Sequence, residues 1–255
     1  MALLSVRSYI LSRMKNPSEV EPSTGQTTPR RSELGRPQQF VGKLRERKKD
    51  ATRRALVRAA NQRFHSKGFD ATTIDEICAD AKVSRRTFFR YFANKEALAF
   101  PHRTERLERF LELLEGAPLN ECPFISLRQI AQEFAREYSL NREQQLAQQQ
   151  LINRNPALVA RENEIDRDWE NAMAEVFIQR YASGARKSGA QVGLPQIDLA
   201  RVNLRARMLA GATIGVIRAT LRHWFAMQGK ADLANLGAQA LDALQGGFKI
   251  APWAD

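Results

Sequence analysis

The chain has 255 residues, 43% of them apolar, with 40 Lys and Arg against 28 Asp and Glu, a formal charge of +12. This apolar share supports a buried core and excludes disorder throughout, while the positive excess favours a polyanionic partner, nucleic acid or an anionic membrane surface. Cys78 and Cys122 are the only cysteines, which excludes a disulfide framework or a Cys-rich zinc site and predicts a reducing, cytoplasmic setting.

In chain order, "MALLSVRSYILSRMK" is broken by Arg7 and Arg13 and lacks a small-residue cleavage site, so export is not expected. Residues 16–42 are rich in Pro, Ser, Thr, Gly and Gln without periodicity, and residues 1–42 read as a disordered basic arm carrying Arg30, Arg31 and Arg36. The charge excess peaks between Arg30 and Lys67, where basic residues outnumber acids thirteen to three. From Lys43 the pattern turns helical: Leu56, Ala60 and Phe64 share a face and Gly68 supplies a stop. "TTIDEICADA" places Thr73 and Glu76 at capping-box spacing with Ile74, Ile77 and Cys78 on one face, a short second helix. Ser84 can cap a third, in which Phe88 and Phe92 lie four apart while Arg85, Arg86, Thr87, Phe89 and Tyr91 point elsewhere. Two short helices joined by a tight turn make a helix-turn-helix.

The stretch "VSRRTFFRYFANKEAL" thus holds an apolar face for a three-helix core and a basic face for a DNA major groove and its phosphates. A purely solvated helix would not need the phenylalanines, and a buried one would shed the arginines. Lys95 opens the next predicted helix, where an ammonium and helix N-terminal amides can together hold a phosphate.

Beyond residue 94 helices are predicted near 95–114, 124–139, 142–154, 157–182, 197–227 and 232–246, separated by Pro and Gly breaks and by a loop over 183–196. No stretch alternates as a strand. The fold class is therefore all-α: a helix-turn-helix domain over 43–94, then a larger helical ligand-binding and dimerisation domain over 95–250. Val202, Leu209 and Val216 recur every seven residues, followed by Ile217, Leu221 and Trp224, with Leu241 and Leu244 in the last helix. We read Val216, Ile217, Leu221, Trp224, Leu241 and Leu244 as a homodimer interface; periodicity equally allows burial in the protomer's own core. Phe110, Phe134, Trp169, Met173 and Phe177 are candidates to line a ligand cavity. The apolar run "MLAGATIGVI", fenced by Arg207 and Arg218, falls short of the roughly 20 residues that cross a bilayer.

No enzyme is expected: His65, His102 and His223 are scattered, no nucleophile–base grouping or metal-ligand spacing is visible, and no cofactor or metal is implied.

"RRALVRAANQRFHSKGFDATTIDEICADAKVSRRTFFRYFANKEAL", Arg53 to Leu98, resembles the DNA-binding domain of TetR-family transcriptional regulators along its full extent. The resemblance implies a homodimer on a pseudo-palindromic double-stranded operator, most often a repressor, with Thr73, Ser84, Arg85, Arg86, Thr87, Phe89, Tyr91 and Lys95 at positions that touch DNA. Two departures stand out. Lys82 occupies a turn position usually held by glycine and would take a positive φ, and Phe89 replaces a tyrosine and its hydroxyl. The segment "REQQLAQQQLINRNPALVARENEIDRDWENAMAEVFIQRYA" resembles the C-terminal domain of mycofactocin-type TetR regulators, which implies an acyl-CoA-like effector. Arg128, Arg136, Arg142, Arg154 and Arg161 suit a phosphate-bearing head group. The alternatives are a non-sensing architectural DNA-binding protein, or a regulator answering to an unrelated hydrophobic effector.

Overall fold

The computed structural model describes residues 37–118, 121–188 and 199–247, with side chains over 47–118, 121–181 and 200–247. The described residues form helices and one 3-10 turn, without strands. The arm up to residue 36, with Arg30, Arg31 and Arg36, lies outside them. One compact unit ends at Pro101 and the other begins at His102.

In the first unit, α1 (Pro37–Lys67) begins ahead of the expected Lys43, and α2 (Ile74–Asp80) and α3 (Arg85–Tyr91) follow. Seven-residue helices do not hold their shape alone, because nucleation outweighs the few hydrogen bonds they make. Side-chain caps and core packing supply the difference. Thr73 accepts from the Glu76 amide while Glu76 accepts from the Thr73 amide, the reciprocal box the sequence predicts. Ser84 accepts from the Thr87 amide at 3.1 Å. Leu56, Ala60, Phe64, Ile77, Phe88 and Phe92 are buried together as expected. Between α2 and α3 Lys82 sits at φ +55°, the left-handed position anticipated for it. Gly68, at φ +87°, ends α1, and its amide donates to the Phe64 carbonyl.

The helix predicted over 95–114 is not continuous. A 3-10 turn (Glu96–Ala99) is followed by α4 (Arg103–Gly116), and Pro101 stands between them, where a proline ring and its missing amide forbid an unbroken ladder.

The second unit comprises α4, α5 (Pro123–Leu140), α6 (Arg142–Asn153), α7 (Pro156–Ser188), α8 (Leu199–Ala226) and α9 (Leu233–Gly246). α7 lies along α8, α9 packs on both α5 and α8, and α4 bridges α5 and α7. α7 continues to Ser188 through part of the predicted 183–196 loop. A single glycine costs a helix only about 1 kcal/mol, and the flanking alanines, Arg186 and Lys187 are adequate helix formers. The core runs through Leu107, Phe110, Leu114, Leu127, Leu158, Met173 and Phe177.

Candidate nucleic-acid interface

The two faces of α3 separate as charge and apolarity demand. Phe88 is 0% exposed and Phe92 is buried, whereas Phe89, next in sequence to Phe88, is 48% exposed. Arg86, Thr87, Phe89 and Arg90 line one groove on this face. Arg86 is exposed and has no acidic partner among the described residues. Arg85 is exposed but paired with Asp75 of α2 at 3.2 Å. The Arg90 guanidinium lies 5.1 Å over the Tyr91 ring and donates to its hydroxyl at 3.4 Å. Thr87 is half-buried and its hydroxyl lies 3.0 Å from that of Ser84, so these two residues hold the start of α3 in shape. Thr73 is exposed, and its hydroxyl also donates to Glu76 at 2.9 Å.

Glu76 is the electrostatic centre of the α1–α2 edge. Its carboxylate is paired with Lys67, lies 3.6 Å from Arg63, and accepts from the Thr73 amide and hydroxyl. The Lys67 ammonium first, then the Thr73 donors, hold its pKa down from 4.5 to about 2. Asp80 is likewise held below the usual carboxylate range by the Arg63 guanidinium, which it meets at 2.5 and 2.8 Å. Arg63 and Lys67 are thereby neutralised locally, and the basic charge left without acids gathers on α3 and on exposed residues of α1 such as Arg47, Lys48 and Lys49.

Lys95 opens a 3-10 turn in place of the expected helix. Its ammonium donates to the carbonyls of Phe69 at 2.7 Å, Thr72 at 3.0 Å and Asp70 at 3.4 Å, and lies 4.2 Å over the Phe69 ring. A lysine has three donors, and here all three are engaged. The turn it opens is four residues long, too short to present a helix N-terminus to an anion.

Sequence reasoning placed seven candidates on α3 and at the α2 and α3 caps and missed four residues of this unit. Arg90 lines the groove, Asp75 holds Arg85, and the Arg63 and Lys67 pairings fix α2. The partners of Arg63, Lys67 and Arg85 lie 9 to 17 residues away, beyond the reach of helical spacing.

In the second unit, Phe110, Phe134 and Trp169 come together, with the Phe110 ring 6.2 Å from Phe134 and 5.5 Å from Trp169. Met173 and Phe177 follow Trp169 along α7 and are fully buried. Of the arginines proposed to face a head group, Arg128 pairs with Asp242 and Arg161 with Glu164, while Arg136, Arg142 and Arg154 are exposed. Arg103, which the sequence did not single out, is largely buried beside Asp168 at 3.4 Å. Burial and the adjacent Arg161 loosen its hold on its proton.

The dimer stripe needs correction. Trp224 is 0% exposed, packs with Ala135 and Leu233, and donates its indole N–H to the Ala231 carbonyl at 3.0 Å. Leu221 packs against the same cluster and Leu241 is buried. These residues face their own protomer, because Tyr138 of α5 and the α8–α9 turn close over the tryptophan. Val216, Ile217 and Leu244 are half-buried. The exposed apolar stripe of α8 is instead Leu204 and Met208, at 61% and 63%, continued by Gly215 and Ala219.

Residues 56–100 match the family described as bacterial regulatory proteins, tetR family. The HTH-type transcriptional regulator TcmR of Streptomyces glaucescens is 28% identical over 214 residues, spanning 79% of this chain and 86% of that protein. Among solved structures, NalD, the secondary repressor of the MexAB-OprM multidrug efflux pump in Pseudomonas aeruginosa, shares the fold at TM-score 0.51 with 19% identity, over 78% of this chain and 95% of its own. Thermus thermophilus FadR, a TetR-family repressor in complex with lauroyl-CoA, aligns over 80% of this chain and 99% of its own at TM-score 0.45 and 24% identity.

Proposed function

We infer that this chain, a TetR-family transcriptional regulator, binds a pseudo-palindromic operator as a homodimer and leaves it when a small amphipathic ligand such as an acyl-CoA enters the second unit. The observation that carries the reading is the division of α3 into a buried Phe88–Phe92 edge and an exposed Arg86–Thr87–Phe89–Arg90 groove. On the exposed face Arg86 is the candidate for bidentate contact with a guanine edge. Arg85, Arg90, Tyr91, Thr87 and Ser84 contact or frame phosphates, Phe89 packs on the sugar-phosphate chain, and Thr73 meets the backbone at the start of α2. A protomer reads only a few base pairs, so two-fold symmetry gives half-site centres about 10 bp, one helical turn, apart or a little more.

The partner copy is seated on the Leu204–Met208–Gly215–Ala219 stripe, with Val216, Ile217 and Leu244 at its margin. The small residues let helices approach closely, and the two large apolar side chains otherwise face water. Footprinting tests both statements: protection of a two-fold site by a dimer is expected, and protection of one asymmetric half-site by a monomer would overturn them.

For the effector, the aromatic cluster of Phe110, Phe134 and Trp169 supplies an apolar wall, with Met173 and Phe177 behind it. Pairing of Arg128 and Arg161 with acids favours a second reading, a hydrophobic effector without a phosphate-bearing head group. Anisotropy of labelled operator titrated with acyl-CoA, the matched fatty acid and free CoA separates the two. Release by acyl-CoA beyond that by free CoA supports the first, and release by the fatty acid alone supports the second. A ligand shifts DNA affinity only by its differential affinity for the two states, typically about 1–3 kcal/mol, so release is graded.

A further inference from the structure

Along their shared face α7 and α8 carry a ladder of charges. Asp166 pairs with Arg218 at 2.8 Å, and Glu175 lies 3.7 Å from Arg207. Glu170 stands between these rungs, one helical turn past Asp166 on the same row of α7, and meets no arginine. What lies beneath it on α8 is Gly211, where a Cβ would stand 3.1 Å from Glu170 Oε1, so the carboxylate rests against the α8 helix itself. Glu170 is half-buried and has no donor or cation paired with it among the described residues. A carboxylate taken partly out of water and left unpaired is destabilising. Gly211 belongs to the row Leu204, Met208, Gly211, Gly215, Ala219, Arg222 and Ala226, residues three or four apart along one side of α8. Arg222, near the far end of this row, is exposed; it lies near enough to Glu162 and Asp166 to favour their charged forms but forms no ion pair with either.

This row is complementary to itself in one direction only. Two copies of α8 packed parallel about a two-fold axis set each residue beside its own copy, Glu170 beside Glu170 and Arg222 beside Arg222. Packed antiparallel, each residue meets one from the other side of the axis. Helices approach closest where the side chains between them are smallest, which puts the axis between Gly215 and Ala219. That choice brings the level of Gly211, and with it Glu170, opposite Arg222 of the partner subunit. It also brings Leu204 and Met208 opposite the exposed end of the helix at Ala226 and Met227. Small residues, opposite charges and exposed apolar side chains therefore agree on one register. We propose that two copies of this chain pack α8 antiparallel about an axis between Gly215 and Ala219, with Glu170 of each protomer paired to Arg222 of the partner subunit, and that these two symmetric ion pairs fix the register and select a like chain as partner. The proposal rests on reading the α8 stripe as the seat of the partner copy. Charge pairs across an interface decide register and partner choice more than raw affinity, and Leu204, Met208 and Met227 supply the apolar area.

The test exchanges the charges in the full chain. Glu170→Arg and Arg222→Glu are each expected to weaken the homodimer about tenfold or more in analytical ultracentrifugation, because each puts two like-charge contacts into it. Mixed in equal amounts, the two variants should dimerise again, since one contact of the mixed dimer is the native pair and the other is that pair with its charges reversed. Native mass spectrometry of the mixture should show the mixed dimer above the share that random assortment gives. The double variant Glu170→Arg/Arg222→Glu reverses both pairs at once and should dimerise near the parent level, which separates lost pairing from lost folding. Single variants that dimerise as tightly as the parent overturn the pairing, and so do a mixture and a double variant that remain as weak as the singles. A parent that sediments as a monomer would instead sink the dimer reading on which the pairing rests.

Discussion

The two units solve the same problem, holding helices together, by different means. In the first unit the helices α2 and α3 are seven residues long and are fixed at their ends, by Thr73 with Glu76, by Ser84 with Thr87, and by Lys95 on the carbonyls of Phe69, Asp70 and Thr72. In the second unit the helices are long and are fixed along their sides, by apolar stripes and by charge pairs that cross from helix to helix, such as Arg103–Asp168, Arg106–Glu137 and Arg218–Asp166. End-fixing leaves a whole helix face free to meet DNA. Side-fixing uses the faces up, so what remains exposed on α8 is narrow and informative.

The largest effect should come from the apolar edge of α3. Phe88→Ala removes a fully buried ring from a small core and should cost about 3–5 kcal/mol, enough to unfold the DNA-binding unit. All three tryptophans, at 169, 224 and 253, lie outside that unit, so tryptophan fluorescence should keep its native melting transition while operator binding is lost. A parallel loss of the tryptophan transition would mean the two units do not fold separately.

Next comes the side of α8. Met208→Glu places a charge on the exposed apolar stripe and should weaken the dimer by about tenfold or more, read by analytical ultracentrifugation, with monomer stability unaffected. Retention of the dimer would move the interface elsewhere.

Cap removal should be smaller. Thr73→Ala deletes the α2 cap and should destabilise the DNA-binding unit by about 1 kcal/mol, measured by chemical denaturation followed by circular dichroism. Lys82→Gly should act in the other direction, by up to about 1 kcal/mol, since it relieves a left-handed backbone at a non-glycine residue.

The smallest effect separates the units by the sign of a pH slope. Glu76 is held down to about 2 from 4.5 by Lys67 and Thr73. Its contribution is complete above pH 4.5 and is lost as pH falls toward 2. Glu162 and Asp166 in the second unit are raised by burial, Asp166 despite its partner Arg218, so their ionised forms are disfavoured in the folded state and acidification relieves them. Glu76→Gln should flatten the acid-side loss of the first unit, and Glu162→Gln should make tryptophan-monitored stability less dependent on pH across that group's titration. Identical acid profiles for both variants and the parent would contradict this division.

The same contrast explains what could be read from sequence. All but one of the end-fixing devices are local: Thr73 and Glu76, Ser84 and Thr87, and the glycine-like position of Lys82 sit three residues or fewer from what they control. Phe88 and Phe92 needed only helical spacing. The partners of the Lys95 ammonium were not legible, because they are carbonyls 23 to 26 residues earlier. Trp224 and Leu241 were placed on a real stripe but assigned the wrong neighbour, since periodicity names a face and not what covers it. The α3 groove and the caps follow from sequence pattern; the Leu204–Met208 stripe and the pairing of Arg128 and Arg161 with acids required the fold.

The account's central claim is that the exposed face of α3 reads bases through Arg86, and the direct measurement is the affinity of Arg86→Ala for operator and for random duplex under the same salt. The account predicts a loss of about 1–3 kcal/mol on operator and a much smaller loss on random DNA, so that specificity falls. Equal losses on both would reduce Arg86 to a phosphate contact and leave α3 without its base-reading role.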